Sequence, residues 1–221
     1  MNKSSVMVGV SIMGIVSGVI AILLLPPTDE TVNLDMSRTH GTISTAMGSP
    51  ILGNPSAPIT IVEFGDYQCH QCYNWFHDTK PAITHNYIDT GKANLVFVDY
   101  PFLGDGSSKA AQASYCAEDQ EKYWEYHHLL YNYQESAIDS GWASSDKLKF
   151  FASNLGLDME LFESCLDSDK YSKRVQYNIQ QAQKNNVHGT PGFFIVGPNE
   201  QKQINGPQPY STFKQIMDPM I

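Results

Sequence analysis

ITIVEFGDYQCHQC, residues 59–72, is the stretch of this sequence that decides the fold. Residues 59–64 are β-branched or apolar apart from Glu63, which is the pattern of a strand buried on both faces. A short connection follows, and Cys69 and Cys72 then stand three residues apart where a helix is expected to begin. The stretch predicts a buried strand, a turn, and a helix whose first turn carries two thiols.

Outward from this stretch, the chain continues as a β-α-β unit. The helix is expected to extend to about residue 87 with a kink at Pro81, because proline cannot donate its backbone hydrogen bond. Residues 95–98, Leu-Val-Phe-Val, form a second buried strand. The crossover between two such parallel strands is right-handed in nearly all proteins.

The rest of the chain predicts a helical block and then a β-β-α unit. One long helix is expected over about 108–133, and shorter helices follow before Phe193-Phe194-Ile195-Val196 starts a hairpin that a closing helix completes. Helices between two halves of one sheet form an insertion, which we place at about 104–168. The predicted fold class is therefore α/β, ordered β-α-β, helical insertion, β-β-α.

The first 27 residues predict a single N-terminal transmembrane helix. Residues 6–25 are uncharged and mostly apolar, and twenty helical residues match a hydrocarbon core of roughly 30 Å. The run ends in Leu-Leu-Leu-Pro-Pro without the small residues of a cleavage site, which favours an uncleaved anchor over a removed signal. Residues 28–47 are rich in polar residues and predict a flexible linker to a domain at 48–221.

Charge and cysteine content narrow the class of function. The formal net charge is −9, and no basic stripe stands out, so nucleic-acid binding is not expected. An even number of cysteines, four, in a domain exported behind a hydrophobic segment suggests two pairs.

The chemistry is expected at Cys69-His70-Gln71-Cys72. A thiol at a helix N-terminus is favoured as thiolate by unpaired N–H groups and by the helix dipole, and the thiolate is the attacking species in disulfide exchange. Cys72, one turn further on, would resolve the mixed disulfide. His70 in its charged form would stabilise the thiolate, whereas Asp66 would oppose it if the carboxylate lies close.

A metal site is the alternative interpretation of this motif. Cys72 is followed after twelve residues by His85, which resembles half of a zinc-finger spacing, and His77 is a further possible ligand. No fourth ligand stands at the required spacing. The cysteine motif taken alone therefore favours redox chemistry and leaves metal binding open.

Thr190-Pro191 stands directly before the third buried strand, where proline is tolerated only at the start. An ordinary trans bond in a loop is the alternative to a cis bond in a tight turn. A cis bond would bring a backbone edge beside the cysteine pair, where an extended substrate could add as a strand.

Taken together, the chain from about Gly48 to Ile221 resembles the DsbA-like thiol–disulfide oxidoreductases, particularly the membrane-anchored forms of Gram-positive bacteria and archaea. The resemblance is carried by residues 61–69 with Cys72, by Glu-Lys-Tyr-Trp-Glu-Tyr at 121–126, and by Val-His-Gly-Thr-Pro-Gly-Phe-Phe at 187–194. It implies a thioredoxin fold with a helical insertion, and it implies no cofactor and no metal.

The resemblance also assigns roles to residues. It implies that Cys69 is the exposed nucleophile, that Cys72 is its buried partner, that Pro191 is cis beside Thr190, and that Glu63 is a buried acid that assists proton transfer. A carboxylate inside an apolar strand needs a partner or a raised pKa, which agrees with that role, although a solvated edge position is the alternative.

Two features of the cysteines qualify this assignment. The dipeptide between the active-site cysteines is His70-Gln71 where the family commonly has Pro-His or Pro-Tyr, and because this dipeptide tunes the redox potential, the direction of reaction is open. Cys116 and Cys165 are expected to form a structural disulfide, as in some relatives, with two free core thiols as the alternative.

The expected function is a thiol–disulfide oxidase acting on exported, unfolded or reduced proteins, with an isomerase or reductase as the nearest alternative. A membrane-tethered metal-binding protein and an inactive interaction module are alternatives from other classes. An oxidase needs a membrane partner that reoxidises it, expected to be a quinone-linked protein of the DsbB or VKOR type. The protein is expected in the cytoplasmic membrane, with its catalytic domain outside the cytoplasm.

Overall fold

The computed structural model describes residues 36–221. Its longer strands and helices follow the order expected from the sequence. The strands are β1 (Thr39–His40), β2 (Ile43–Ser44), β3 (Leu52–Gly53), β4 (Ile59–Gly65), β5 (Ala93–Asp99), β6 (Gly192–Val196) and β7 (Gln201–Asn205). The helices are α1 (His70–Asp78), α2 (Lys80–Ile83), a π-helical turn (Thr84–Ile88), α3 (Asp105–Glu118), α4 (Tyr123–Asn132), α5 (Ser145–Asn154), α6 (Met159–Asp167), α7 (Ser172–Lys184), α8 (Tyr210–Met217) and a 3-10 turn (Asp218–Met220).

Five of the strands form one mixed sheet in the order β3-β5-β4-β6-β7. β4 and β5 are parallel, as the β-α-β prediction requires, β6 pairs antiparallel to β4, and β7 pairs antiparallel to β6. β4 lies in the centre of the sheet and every one of its residues is buried. This explains why its sequence is almost continuously apolar.

Side-chain alternation along β4 sorts the core into two faces. Val62 and Phe64 pack with Ala182 of α7, whereas Ile61 packs with Trp75 of α1 and Phe213 of α8. Glu63 is two residues from Ile61, so it points to the same face as Ile61, the side that carries α1. The strand thus places one carboxylate in the layer between sheet and active-site helix.

The helices between β5 and β6 share a core with the active-site region. One cluster of buried side chains contains Cys72 and Phe97 together with Leu130 of α4 and Phe162 of α6. Because the insertion packs directly against the first turn of α1, its side chains can take part in the chemistry of the cysteine pair.

The prediction of one long helix over about 108–133 is wrong. α3 ends at Glu118, and a turn through Glu121, whose φ is +60°, leads into α4 at Tyr123. The helix between Cys69 and Tyr87 is also divided: α1 ends at Asp78, and α2 carries Pro81 in its first turn. Proline fits there because the first N–H groups of a helix have no partner within that helix.

The folded region begins before Gly48, so the predicted linker 28–47 is too long. β1 and β2 form a two-stranded sheet, and Ile43 and Thr45 are fully buried. The carbonyl oxygen of Met47 accepts hydrogen bonds from Arg174 and Asn178 of α7, at 2.9 Å each. Polar groups in this segment therefore form hydrogen bonds with one another and with the domain rather than with solvent, and composition alone does not reveal this.

The predicted anchor, residues 1–27, lies outside the described residues. In the part of the chain from residue 36 onward, no helix is long and apolar enough to cross a membrane.

Candidate active site

Cys69 and Cys72 lie at the start of α1, after the short turn that follows β4. Cys69 is the N-cap residue of α1, with extended backbone angles, and Cys72 lies in the first turn. Both are free thiols. Cys69 has 7% of its surface exposed and Cys72 has none. Cys69 is therefore the more exposed of the two, as expected, but it is more buried than the exposed nucleophile that the resemblance implies.

The two thiols differ sharply in acidity. Hydrogen bonds from the Cys72 thiol and from the backbone N–H groups of Cys72 and Gln71 lower the pKa of Cys69 to about 6, although burial opposes this. Burial raises the pKa of Cys72 well above its ordinary value, and its hydrogen bond to Cys69 adds to the rise. At neutral pH the geometry favours a Cys69 thiolate beside a Cys72 thiol, which is the arrangement a nucleophile and a resolving thiol require.

The segment before β6 lies directly over Cys69. The Thr190–Pro191 peptide bond is cis, and the Sγ of Cys69 lies 3.2 Å from the carbonyl oxygen of Thr190, to which it donates in its thiol form. The Pro191 carbonyl accepts from the N–H of Gly206 at 2.9 Å, which holds this segment to the chain after β7. A backbone edge therefore stands beside the thiol, as the resemblance implies.

Glu63 is buried below the cysteines rather than solvated at an edge. Only 1% of its surface is exposed, and in the sheet it lies between Phe97 and Phe193. Burial raises the pKa of Glu63 to about 8, while the Lys80 ammonium lowers it and the Cys69 charge raises it. A carboxyl group with this pKa can accept or release a proton near neutral pH.

A layer of aromatic rings surrounds the space beneath Cys72. The rings of Tyr67 and Tyr131 have centroids 5.2 Å apart, and Tyr67 also packs on Phe97 at 5.3 Å. Gly65 permits this, because a Cβ there would lie 2.3 Å from the Phe97 ring. His127 of α4 and Lys80 of α2 are buried in the same layer. Neither residue stands at a spacing from Cys69 and Cys72 that indicates a shared site, so the sequence did not predict a role for them.

The remaining two predictions near the motif concern His70 and Asp66. The His70 ring is exposed and stacks on Tyr73, with centroids 5.8 Å apart, and its role stays a prediction. Asp66 is buried, and its carboxylate accepts hydrogen bonds from the N–H groups of Gln68, Phe102 and Leu103. Through its bonds to Phe102 and Leu103, the Asp66 carboxylate holds the loop after β5 in place.

Gln68 ties the active-site turn to the insertion. Its side chain donates to Asp139 Oδ1 at 2.8 Å and to Ser107 Oγ at 3.2 Å, and its amide oxygen accepts from the N–H of Asp139 at 2.8 Å. These three bonds are made by the residue immediately before Cys69. The position of the nucleophile is thus coupled to a loop about 70 residues later in the chain.

Cys116 of α3 and Cys165 of α6 are joined by a disulfide, with their Cα atoms 5.8 Å apart. The alternative of two free core thiols is therefore not what the structure contains.

The metal alternative has no donor set to support it. Within residues 36–221, no group of three or more His, Cys, Asp or Glu side chains is arranged to hold a metal ion. His77, the proposed additional ligand, packs its ring against Tyr73 at 4.2 Å.

The chain is similar to known proteins in both sequence and structure. A family model described as Thioredoxin matches residues 45–219. Disulfide bond formation protein D of Bacillus subtilis is 31% identical over 174 residues, which cover 77% of this chain and 76% of that protein. Probable disulfide bond formation protein D of Bacillus anthracis is 31% identical over 149 residues, 66% of this chain and 69% of the relative.

Solved structures give the same picture. Oxidised BdbD of Bacillus subtilis superposes with a TM-score of 0.73 at 29% identity, covering 82% of this chain and 97% of that chain. The α-DsbA1 protein of Wolbachia pipientis superposes with a TM-score of 0.68 at 26% identity, covering 77% of this chain and 89% of the other.

Proposed function

Because the chain belongs to the DsbA-like thiol–disulfide oxidoreductases of the thioredoxin superfamily, we propose that it introduces disulfides into exported proteins through Cys69 and Cys72. The family is one of disulfide oxidases, and the geometry suits this direction. The observation that carries the proposal is the contrast in acidity within the pair: the reduced enzyme is stabilised by its Cys69 thiolate, and a stable reduced form makes a strong oxidant.

In the proposed reaction, a substrate thiolate attacks Cys69 of the oxidised enzyme. The bond between Cys69 and Cys72 breaks, and Cys72 leaves and takes up a proton, for which Glu63 is the nearest buried acid on the sheet. A second substrate thiolate then attacks the substrate sulfur of the mixed disulfide and releases the Cys69 thiolate. The low pKa of Cys69 makes it a good leaving group in this step.

The proposed substrate path follows the backbone at Thr190 and Pro191. An extended peptide can pair with this edge while its cysteine reaches Cys69. A groove of about 380 Å³ beside α1, lined by Gln71, Asn74 and Asp78 on one side and by Pro207 and Tyr210 on the other, offers room for the residues that flank that cysteine. Its lining is polar and apolar in about equal parts, which suits unfolded chains of mixed composition.

A Cys72→Ser variant of the full chain tests these assignments. Without the resolving thiol, the mixed disulfide at Cys69 is expected to persist, so exported proteins accumulate as complexes that a reductant releases. The matched control is the double variant Cys69→Ser/Cys72→Ser, which should trap nothing. If the two variants trap the same proteins, Cys69 is not the cysteine that forms the mixed disulfide with the substrate.

The direction of the reaction is tested by a glutathione redox titration of the Cys69–Cys72 pair. The oxidase proposal expects a midpoint near about −120 mV, whereas a midpoint near about −270 mV would indicate a reductase and overturn it. Exchange of His70-Gln71 for Pro-His in the same experiment measures what this dipeptide contributes.

We further propose that residues 1–27 anchor the protein in the cytoplasmic membrane with its catalytic domain outside. The support is the length and apolar character of residues 6–25. The anchor would hold the domain near a quinone-linked reoxidase of the DsbB or VKOR type. Alkaline extraction of membranes tests the anchor: the full chain should stay in the membrane fraction, and a chain lacking residues 1–27 should not.

The reoxidase is sought by trapping. A Cys72→Ser variant should form a mixed disulfide with a membrane protein, and loss of that protein should leave the wild-type Cys69–Cys72 pair reduced in cells. If the pair stays oxidised in every such strain, the proposed membrane partner is not required.

A further inference from the structure

A buried cation lies below the active site. Lys80 of α2 is only 3% exposed, and its side chain passes between aromatic rings, with Nζ 4.6 Å from the centroid of Phe76 and 5.2 Å from that of Trp124. Nζ also lies 3.3 Å from Nε2 of His127 on α4. Burial of an ammonium group is costly, so its position calls for groups that stabilise its charge.

The chemistry of the two side chains fixes how they interact. An ammonium group has only donors, so Nε2 of His127 must accept from Lys80. The hydrogen of the neutral ring is then on Nδ1, which lies 2.9 Å from the hydroxyl oxygen of Tyr67 and donates to it. Burial lowers the pKa of His127 well below its ordinary value, and the Lys80 charge lowers it further, so the ring is neutral.

His127 thus connects the insertion to both sides of the active site. Tyr67 belongs to the turn before Cys69, and Phe97, the register neighbour of Glu63, has its ring 4.9 Å from that of His127. One oxygen of Glu63 has no hydrogen-bond partner in the described part of the chain. The carboxylate therefore depends on nearby charge, and Lys80 supplies the positive one.

We propose that His127 is a positioning residue for thiol–disulfide exchange: it holds the Lys80 ammonium in place below the sheet, and that charge favours the carboxylate form of Glu63, which accepts the proton of Cys72. This inference rests on the proposed function and adds a residue from the helical insertion to it. Removal of the imidazole takes away the acceptor that stabilises the Lys80 ammonium, so the pKa of Glu63 is expected to rise further and a smaller fraction of it to be ionised at neutral pH.

The step affected is closure of the enzyme disulfide during reoxidation. The Cys69 thiolate first forms a mixed disulfide with an oxidant disulfide, and one oxidant sulfur leaves as thiolate. The Cys72 thiol then gives its proton to the Glu63 carboxylate, and its sulfur attacks Cys69. The Cys69–Cys72 bond forms, the bond to the oxidant breaks, and the second oxidant sulfur leaves with the electron pair as a thiolate. The dithiol is oxidised and the oxidant disulfide is reduced.

Other titratable groups face this space, and they define the controls. They are Tyr67 in the turn after β4, Cys69 and Cys72 at the start of α1, Lys80 on α2, and Tyr123, His127 and Tyr131 on α4. On its outer side Lys80 lines a surface cavity of about 350 Å³ together with His128, which is exposed. His128 is adjacent to His127 on the same helix, so it provides a matched control for loss of an imidazole.

The test follows closure of the Cys69–Cys72 bond in the reduced full chain after addition of oxidised glutathione, with acid quenching and mass analysis, between about pH 6 and pH 10. In His127→Phe, closure is expected to slow about tenfold at neutral pH and to match the wild-type rate at the alkaline end, which corresponds to a pH midpoint about one unit higher. His127→Gln, whose amide oxygen can still accept from Lys80, should restore most of the rate. His128→Phe should leave the profile unchanged.

The outcomes distinguish failure of the proposed function from failure of the role proposed for His127. If the wild-type chain neither closes its disulfide nor oxidises a reduced protein, the proposed function fails. If wild type does both and His127→Phe keeps the wild-type pH profile, or slows equally at every pH, this inference is wrong and the function stands.

A measurement on the wild-type chain covers the case in which His127→Phe does not fold. Nitrogen NMR of the His127 ring reports its tautomer, and the inference requires a neutral ring protonated on Nδ1 from about pH 5 to pH 7, where Lys80 is an ammonium because burial lowers its pKa only to about 8. A ring protonated on Nε2 cannot accept from Lys80 and would overturn the proposal.

Discussion

The chain carries two cysteine pairs that differ in spacing, in their place on a helix and in their surroundings. Cys69 and Cys72 are three residues apart at the N-terminal end of α1, whereas Cys116 and Cys165 are 49 residues apart and each lies two residues before the end of its helix. The helix dipole favours a thiolate at an N-terminus and disfavours one at a C-terminus. The pair at the start of α1 is therefore placed for disulfide exchange, and the pair near the helix ends is placed to remain a structural disulfide.

The surroundings reinforce this difference. Cys69 lies beside the Thr190 carbonyl and above the buried carboxyl group of Glu63, so protons can be exchanged at the pair. Cys116 and Cys165 belong to the buried core of the insertion, where a thiolate would be poorly solvated. Reactivity follows from what surrounds the sulfur rather than from the presence of two cysteines.

The largest contrast is expected from Cys69→Ser. Transfer of disulfides to a reduced protein should fall below detection, because this thiol alone meets the substrate, while the thermal stability of the chain should change little. Loss of substrate thiols over time measures the rate. The double variant Cys116→Ala/Cys165→Ala, assayed at a temperature where it is folded, should retain the wild-type rate, and a loss of activity there would contradict the division of roles.

The same double variant should show the opposite pattern in stability. Opening a loop of 49 residues is expected to lower the free energy of unfolding by about 4 kcal/mol in the chain-entropy model. Denaturant titration of the oxidised proteins measures the difference. A decrease under about 1 kcal/mol would mean that this disulfide contributes little beyond its packing.

Titration of the thiolate sharpens the contrast in acidity. In the Cys116→Ala/Cys165→Ala background, the ultraviolet absorbance of the reduced pair should rise with a midpoint near pH 6, since the pKa of Cys69 is lowered to about 6. A lowered pKa in the folded state adds stability as pH rises. The reduced form should therefore gain stability over the oxidised form between about pH 6 and pH 9 and lose that advantage below pH 6. A midpoint near 9 would show that the N-cap position does not acidify Cys69.

The smallest effect is expected from Gln68→Ala, which loosens the connection between the active-site turn and the helical insertion. Loss of one buried hydrogen bond to Ser107 and two half-buried ones to Asp139 should destabilise the chain by about 1–3 kcal/mol and expose the loop around Asp139 to proteolysis. Gln71→Ala, which removes an exposed amide from the same motif, is the matched control. Equal protease sensitivity in the two variants would contradict a clamping role for Gln68.

Much of the fold could be predicted from local patterns. The apolar run at 59–64, the two cysteines after it and the Thr190-Pro191 pair each depend on neighbouring residues, and the resemblance to the family placed them in one fold. The prediction was wrong where local pattern was ambiguous. An alanine-rich stretch continued into aromatic residues without a visible break, so the turn at Glu121 was missed, and polar residues at 39–47 concealed a segment that packs on the domain.

Local sequence specifies a reactive dithiol at a helix N-terminus behind a buried strand, because strand periodicity and the three-residue spacing are local properties. The groups that surround this dithiol depend instead on how distant segments pack. Lys80 and Gln68 stand close to the cysteine pair in the sequence, but their partners, His127 and Asp139, come from the insertion, 47 and 71 residues later. The charge of a buried group is set by its neighbours in space, and no spacing along the chain encodes those neighbours.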